Sequence, residues 1–138
     1  MPYRTATVKD YMSGKLVTFL PDTDVLDAIH ELLNHRISGA PVVDNFGHLV
    51  GMLSEFDCLQ VVLTSGYHGE PGGPVADLMV AEVRTVDANL SIMDVTQLFI
   101  ETGLRRFPVI KDNRLVGQIS RRDVLRALAD MAQHRVSW

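Results

Sequence analysis

The chain has a single cysteine, Cys58, among 138 residues, so no internal disulfide can staple it. No charged leader with an apolar core opens it, and a reducing, cytoplasmic setting is the expectation. Long apolar runs are lacking: each is broken by charge well short of the roughly 20 residues that a membrane-spanning helix requires. Basic charge is not in excess. Against 13 Lys and Arg stand 17 Asp and Glu, a formal net charge of −4 with a pI near 5.6, which argues against a surface built for nucleic-acid backbones.

Signatures of catalysis and metal binding are equally sparse. Neither a G-x-x-x-x-G-K phosphate loop nor a G-x-G-x-x-G turn occurs, which leaves a conventional ATPase or dehydrogenase without its phosphate cradle. His30 and His35 frame "HELLNH", but a separation of five turns the second about 140° around a helix, whereas the zinc motif keeps its histidines four apart on one face. His48 and His68 fall in a turn and a linker, and no metal site is expected. Cys58 sits at a helix start, where a thiol pKa can fall, yet no histidine base accompanies it; a small buried apolar role is the favoured one. What remains, with 46% apolar and 22% charged residues, is a globular chain with enough apolar side chains for a core.

What the sequence does contain is the same phrase twice. At an offset of 67, Val8, Asp10 and Met12 fall on Val75, Asp77 and Met79; Thr18 falls on Thr85, Asp27 on Asp94 and Pro41 on Pro108. One residue is lost in the following turn. At an offset of 66, "LVG" at Leu49 to Gly51 then meets "LVG" at Leu115 to Gly117, Ser54 meets Ser120 and Asp57 meets Asp123. A change confined to a turn is where insertions are tolerated, so one module has been duplicated.

Each copy spells a string of elements. "KLVTF" and "EVRTV" are β-type runs, and the stretch from Asp24 to His35 sets Val25, Ala28, Ile29, Leu32 and Leu33 on one helical face. Asp24 with Asp27, and Ser91 with Asp94, resemble capping-box starts. "APVVD" and "FPVIK" then run extended, turn, and return as "HLVGML" and "RLVGQI", which predicts a hairpin. Second helices follow from Asp57 to about Thr64 and from Asp123 to about His134. The order is strand, helix, strand, strand, helix, with repeats over 1–66 and 75–138 and a Gly/Pro linker from Tyr67 to Pro74.

V-x-D-x-M, then T, an amphipathic helix, P-V-[VI], L-V-G and S-x-x-D, in fixed order and in duplicate, resembles a tandem pair of cystathionine-β-synthase (CBS) domains, a Bateman module, over nearly the whole chain. The resemblance implies a mixed α+β fold of two β-α-β-β-α repeats with pseudo-two-fold symmetry and two clefts between them. Such clefts commonly take an adenosine-containing ligand: AMP, ADP, ATP or S-adenosylmethionine, a regulatory ligand and not a required cofactor.

Residue chemistry suits that role. Asp57 and Asp123 are acceptor-only carboxylates at a helix's first turn, able to take ribose hydroxyls, and Ser54 and Ser120 stand beside helix N-terminal amides that favour an anion. S-x-x-D before an apolar run is also a plain capping pattern, preferred from the residues alone; the duplicated family context reverses the preference. The copies are unequal. Ser38 and Gly39 precede the first proline's strand, but Arg105 and Arg106 stand in the second copy, and Glu55 and Phe56 are replaced by Arg121 and Arg122. Guanidinium forks hold phosphate, whereas Glu55 repels it, so the Asp123 cleft is preferred.

By resemblance, that cleft joins Lys15, Val17, Ile37 and Ser38 to Arg105, Arg106, Ile119, Ser120 and Asp123. Its counterpart would use Ser38, Gly39, Leu53, Ser54, Asp57, Val83, Leu104 and Arg105, and be empty or hold a less charged ligand. Exposed arginines are as readily paired to acids such as Glu101 and Asp112 as aimed at a ligand. The expectation is a regulatory binding module rather than an enzyme, acting on an effector protein or its own oligomer, with a homodimer formed through helices that include Met131. Two alternatives stand: a ligand-independent interaction scaffold, and, less favoured, a nucleic-acid reader using Arg105, Arg106, Arg121 and Arg122.

Overall fold

The computed structural model describes residues 5–68 and 72–133. The chain forms α1 (Val8–Tyr11), α2 (Val25–Asn34), β1 (Gly39–Val43), β2 (Leu49–Ser54), α3 (Glu55–His68), a 3-10 turn (Val75–Asp77), β3 (Val86–Asp87), α4 (Ile92–Thr102), β4 (Arg106–Lys111), β5 (Arg114–Ser120) and α5 (Arg121–Ala132). It is a mixed α+β fold. Two compact units share it: one runs to Leu16 and resumes at Arg84, the other spans Val17–Val83.

These units cut the chain differently from the duplication, because each copy's leading V-x-D-x-M segment docks on the other copy's hairpin. Val8 and Lys9 donate backbone hydrogen bonds to the carbonyls of Leu90 and Ala88, and Val75 and Ala76 repeat the pattern onto Thr23 and Pro21. Ser13 bridges Gln118, and Val80 bridges Met52. Val8 and Val75 are both fully buried, each within the core of the unit it joins, a burial worth about 2 kcal/mol apiece.

The docking needs a strand without a side chain. A Cβ on Gly117 would lie 2.6 Å from Met12 Sδ and 2.7 Å from the Ser13 carbonyl oxygen; on Gly51 it would lie 2.6 Å from Met79 Sδ and 3.0 Å from the Val80 carbonyl oxygen. Glycine inside a strand commonly marks such a close approach.

Within each unit the two hairpins are near copies. β1 pairs antiparallel with β2, and β4 with β5, each with a register shift at the same place, Val42/Val43 and Val109/Ile110. The first turn is held by Asp44, whose Oδ1 accepts from the Phe46 and His48 backbone N–H groups. The shorter second turn places Asp112 and Asn113 at φ 52° and 64°, the mirror-type turn whose twist suits a two-residue hairpin. Helices α2 and α4 face their cores through the same three positions, Val25, Ala28 and Leu32 against Ile92, Val95 and Phe99. Asp24 and Ser91 cap them by accepting from Leu26 and Asp94 N–H groups.

Three expectations need correction. "KLVTF" and "EVRTV" are not full strands: they reduce to a parallel bridge from Phe19 to Val42 and to the two residues of β3 paired with β4. Residues 14–18 and 81–85 have no regular structure, since they carry the chain from one unit into the other. Helix α3 continues past Thr64 to His68, into the stretch read as linker; residues 69–71 of that linker lie outside the described residues, as does His134 at the expected end of α5. Helix α5 also starts earlier than expected, at Arg121, because Ser120 is its cap.

Gly103 ends α4 at φ 69°, with nothing within 4 Å of where its Cβ would stand; Arg36 holds the equivalent left-handed place after α2 at φ 53°. Gly103→Ala is expected to cost about 1 kcal/mol of conformational strain alone. Gly117→Ala, which collides with Met12 and Ser13, is expected to cost about 2 kcal/mol or more and to undock residues 7–13. Urea unfolding of both variants, with limited proteolysis of the N-terminal segment, checks the pair: equal costs with an equally protected segment would contradict the close approach.

Candidate functional site

The S-x-x-D turn is the first thing each hairpin hands to a helix. β5 ends at Ser120, the cap of α5: its Oγ accepts from the Asp123 N–H at 3.3 Å, and the Asp123 Oδ2 accepts from the Ser120 N–H at 2.8 Å. Ser54 and Asp57 do the same at 3.1 and 2.9 Å, with the Ser54 hydroxyl also donating to Asp57 Oδ2 at 2.8 Å. Thr7 and Asp10 form a third such box ahead of α1. The capping reading of these residues is therefore real in every instance.

Capping does not use up the carboxylates. An ionised carboxylate has about four lone-pair sites, and the capping bonds fall on one oxygen of each group. The two differ in what meets the other oxygen. Asp123 Oδ1 accepts from Arg126 Nη2 at 2.8 Å, with the Asp123 side chain 16% exposed. Asp57 is the only charged residue buried among those described, and the first copy has Gln60 where the second has Arg126.

In the unit that holds the second copy's hairpin, Arg106 lies beside this turn, and the other expected residues are spread around it to differing degrees. Arg106 and Ser120 are register partners across β4 and β5, and the Arg105 carbonyl accepts from the Arg121 N–H at 3.2 Å. Arg105 is exposed and Arg106 half-buried. Lys15 is exposed two residues beyond the Ser13 bridge to β5. Ile119 pairs with Phe107 and has no exposed surface, so its side chain serves the core. Leu104 is 42% exposed.

Val17, Ile37 and Ser38 belong to the other unit, with Gly39, Leu53, Ser54, Asp57 and Val83. Val17 and Ile37 are half-buried against that unit's core, the Ser38 carbonyl accepts from the Glu55 N–H at 2.8 Å, and Gly39 is the register partner of Ser54. Leu53, like Ile119, is fully buried, and Val83 is half-buried.

Arg121 is committed elsewhere. Its Nε and Nη2 donate to the carbonyls of Leu104 and Gly103 at 3.0 and 2.7 Å, closing the C-terminal end of α4 where a cation is favoured. It answers main-chain oxygens rather than the acids Glu101 and Asp112. Arg122 is exposed on the first turn of α5.

Two residues that the sequence did not single out complete the turn. Arg126 donates both to Asp123 and, at 2.8 Å, to the Tyr11 carbonyl, and its guanidinium lies 5.8 Å from the Tyr11 ring centre. The Tyr11 hydroxyl donates to Asp130 at 2.7 Å. Burial, then the bond to Asp130, push the Tyr11 phenol up to about 12. An arginine one turn after an S-x-x-D aspartate is the signal that could have revealed the pair. Cys58 is buried in the core, and burial followed by the adjacent Asp57 charge push its thiol up rather than down. No cluster of metal-ligating side chains occurs among the described residues, and no helix there is long and apolar enough to cross a membrane.

The CBS domain profile matches residues 8–64 and 75–130. CBS domain-containing protein YhcV of Bacillus subtilis is 30% identical over 132 residues, 96% of this chain and 87% of that protein. The crystal structure of CBSX2, an Arabidopsis thaliana CBS-pair protein, in complex with AMP has a TM-score of 0.79 at 32% identity, covering 92% of this chain and 98% of that one. The chain spans 63% of the full length of chloroplastic CBSX2. The CBS domain pair of MJ0100, solved with 5′-methylthioadenosine and S-adenosyl-L-methionine, shares the fold at a TM-score of 0.73 and 23% identity, over 92% of this chain and 98% of that one.

The raised Tyr11 pKa sets a pH dependence. A phenol that titrates higher when folded stabilises the fold fully below its unfolded value near 10 and loses that contribution as the pH rises toward 12. Comparing urea unfolding of wild type and Tyr11→Phe from pH 9 to 12 is expected to show their stability difference shrinking by about 1–2 kcal/mol. A constant difference would contradict the bond to Asp130.

Proposed function

The chain belongs to the CBS-domain family, with two CBS domains in tandem, and on that premise we propose that it is a regulatory module that binds an adenosine-containing ligand at the Asp123 turn. The observation that carries the reading is the convergence of Arg106, Ser120 and Asp123 at one strand end and helix start. The Asp123 carboxylate takes the ribose hydroxyls. Arg105 and Arg106 meet phosphate oxygens, with Lys15 as a further cation, and the backbone at Ile119 borders the adenosine. That the similar CBSX2 is known in complex with AMP supports this choice of ligand class.

The first copy's turn lacks those cations. Ser38 and Gly39 stand in place of Arg105 and Arg106, and Glu55 adds a negative charge, so any ligand of Gly39, Leu53, Ser54, Asp57 and Val83 carries less negative charge. AMP, ADP, ATP and S-adenosylmethionine share the adenosine that the Asp123 turn recognises. Ligand binding favours one arrangement of the module, and the readout passes to a protein partner or to the chain's own oligomer; the module regulates and does not catalyse.

Exposed apolar side chains at matching places favour self-association. Leu33 and Leu59 are 70% and 62% exposed, and their counterparts Ile100 and Leu125 are 79% and 62% exposed. Ile100 and Leu125 also line an open groove of about 420 Å³ with Thr96, Phe99, Gly103, Arg121 and Val124. Such faces are costly to leave in water. A homodimer is expected by light scattering at micromolar concentration, and Ile100→Asp with Leu125→Asp is expected to give a monomer; a monomeric wild type would overturn this.

The ligand test is a thermal-shift series with AMP, ADP, ATP and S-adenosylmethionine on wild type and Asp123→Ala. A ligand at 100 times its Kd adds about 2.7 kcal/mol, several degrees for a chain of this size. The expected result is a shift with at least one of these in wild type that disappears in Asp123→Ala. No shift with any of them would favour a ligand-independent interaction scaffold, and binding that ignores adenine but weakens steeply with salt would favour a nucleic-acid reader.

A further inference from the structure

The ligand turn and the docked N-terminal segment share one side chain. Arg126 Nη2 lies 2.8 Å from Asp123 Oδ1 and 2.8 Å from the Tyr11 carbonyl, while its guanidinium packs over the Tyr11 ring. The same ring is held at its other end by Asp130. Tyr11 closes α1, a helix of four residues that cannot persist by itself and depends on its docking. The other unit has none of these residue types at the matching places: Gln60, Leu78 and Thr64 stand where Arg126, Tyr11 and Asp130 do.

We infer that Arg126 is a positioning residue that ties the Asp123 carboxylate to the docked segment, so that occupancy of Asp123 and the hold on residues 8–13 rise together. The inference deepens, and rests on, the reading of Asp123 as the ribose acceptor. Asp123 keeps lone pairs on both oxygens after Ser120 and Arg126 have been served, so ribose hydroxyls add to this network without displacing Arg126. A carboxylate immobilised by ligand immobilises the guanidinium, and the guanidinium holds the Tyr11 carbonyl. By linkage, a well-docked segment in turn raises ligand affinity by the same factor. The first copy's leading segment, already held by its backbone bonds and by buried Val8, gains this extra hold from Arg126 and Asp130; the second copy's leading segment has Gln60 and Thr64 at the matching places and no such cation.

Hydrogen exchange on the full chain tests the tie with and without ligand. The amides of Val8, Lys9 and Ser13 donate to the carbonyls of Leu90, Ala88 and Gln118 and report the docking directly. Without ligand, Arg126→Gln is expected to speed their exchange about threefold relative to wild type, the size of one partly exposed ion pair, with α4 amides unchanged and Arg126→Lys restoring part of the protection. With AMP, wild type is expected to gain protection at these amides, and Arg126→Gln to bind AMP about threefold more weakly with that gain lost. Unchanged exchange at residues 8–13 in Arg126→Gln, or a uniform increase across the unit, would overturn the tie. AMP without effect on wild type, while the ligand-free difference persists, would instead overturn the nucleotide reading and leave the tie standing.

Discussion

A strand without a side chain at one position governs much of this molecule. Gly51 and Gly117 sit mid-strand in the two hairpins, where a methyl group would strike the sulfur of Met79 or Met12 and the carbonyl of Val80 or Ser13. Because those places are empty, a leading segment can lie against each hairpin and bridge to it, burying Val75 in one core and Val8 in the other. The segment that arrives comes from the other copy. Neither repeat is therefore complete as written, and the duplication has a structural reason before it has a functional one.

The same exchange bears on the turn between Ser120 and Asp123. α1 lies beside α5 through Tyr11, Asp130 and Arg126, so the turn that offers Asp123 is buttressed by residues more than a hundred positions earlier in the chain. Capping leaves this carboxylate free to accept further hydrogen bonds. The hydrogen bonds between Ser120 and Asp123 fix the carboxylate with little freedom left to lose, which is the condition under which a hydrogen-bonding group contributes most to affinity. The copies are unequal here: the second presents its carboxylate with Arg126 at its side, Arg106 at the start of the adjoining strand and Arg105 just before it, the first with Gln60 and Glu55.

Much of this was legible in the sequence, and the reasons differ by element. The gap-free offset of 67 disclosed the duplication, and the helical faces of Val25, Ala28 and Leu32 and of Ile92, Val95 and Phe99 follow from spacing alone. The S-x-x-D turns were visible as both caps and ligand candidates. Hidden were the relations that cross the chain. "KLVTF" and "EVRTV" read as strands because β-branched residues fill them, yet their task of carrying the chain between units leaves them almost without ladder partners. Arg121 looked like a phosphate ligand and instead closes the end of α4, since the carbonyls of Gly103 and Leu104 reach it only once the hairpin is folded. Arg126 drew no notice because its partner Tyr11 lies 115 residues away. The glycines of L-V-G, paired in position with Met12 and Met79, were the one sequence signal of the exchange.

The most direct test follows the backbone amides of the isotope-labelled chain by NMR as AMP is titrated in. The expected result is a saturating response with one AMP per chain, largest at Ser120, Arg121, Asp123 and Arg106, with smaller changes reaching Tyr11 and Met12. Changes centred instead on Ser54 to Asp57 with the Ser120 turn silent, or none at all at millimolar AMP, would contradict the assignment of the ligand to the Asp123 turn.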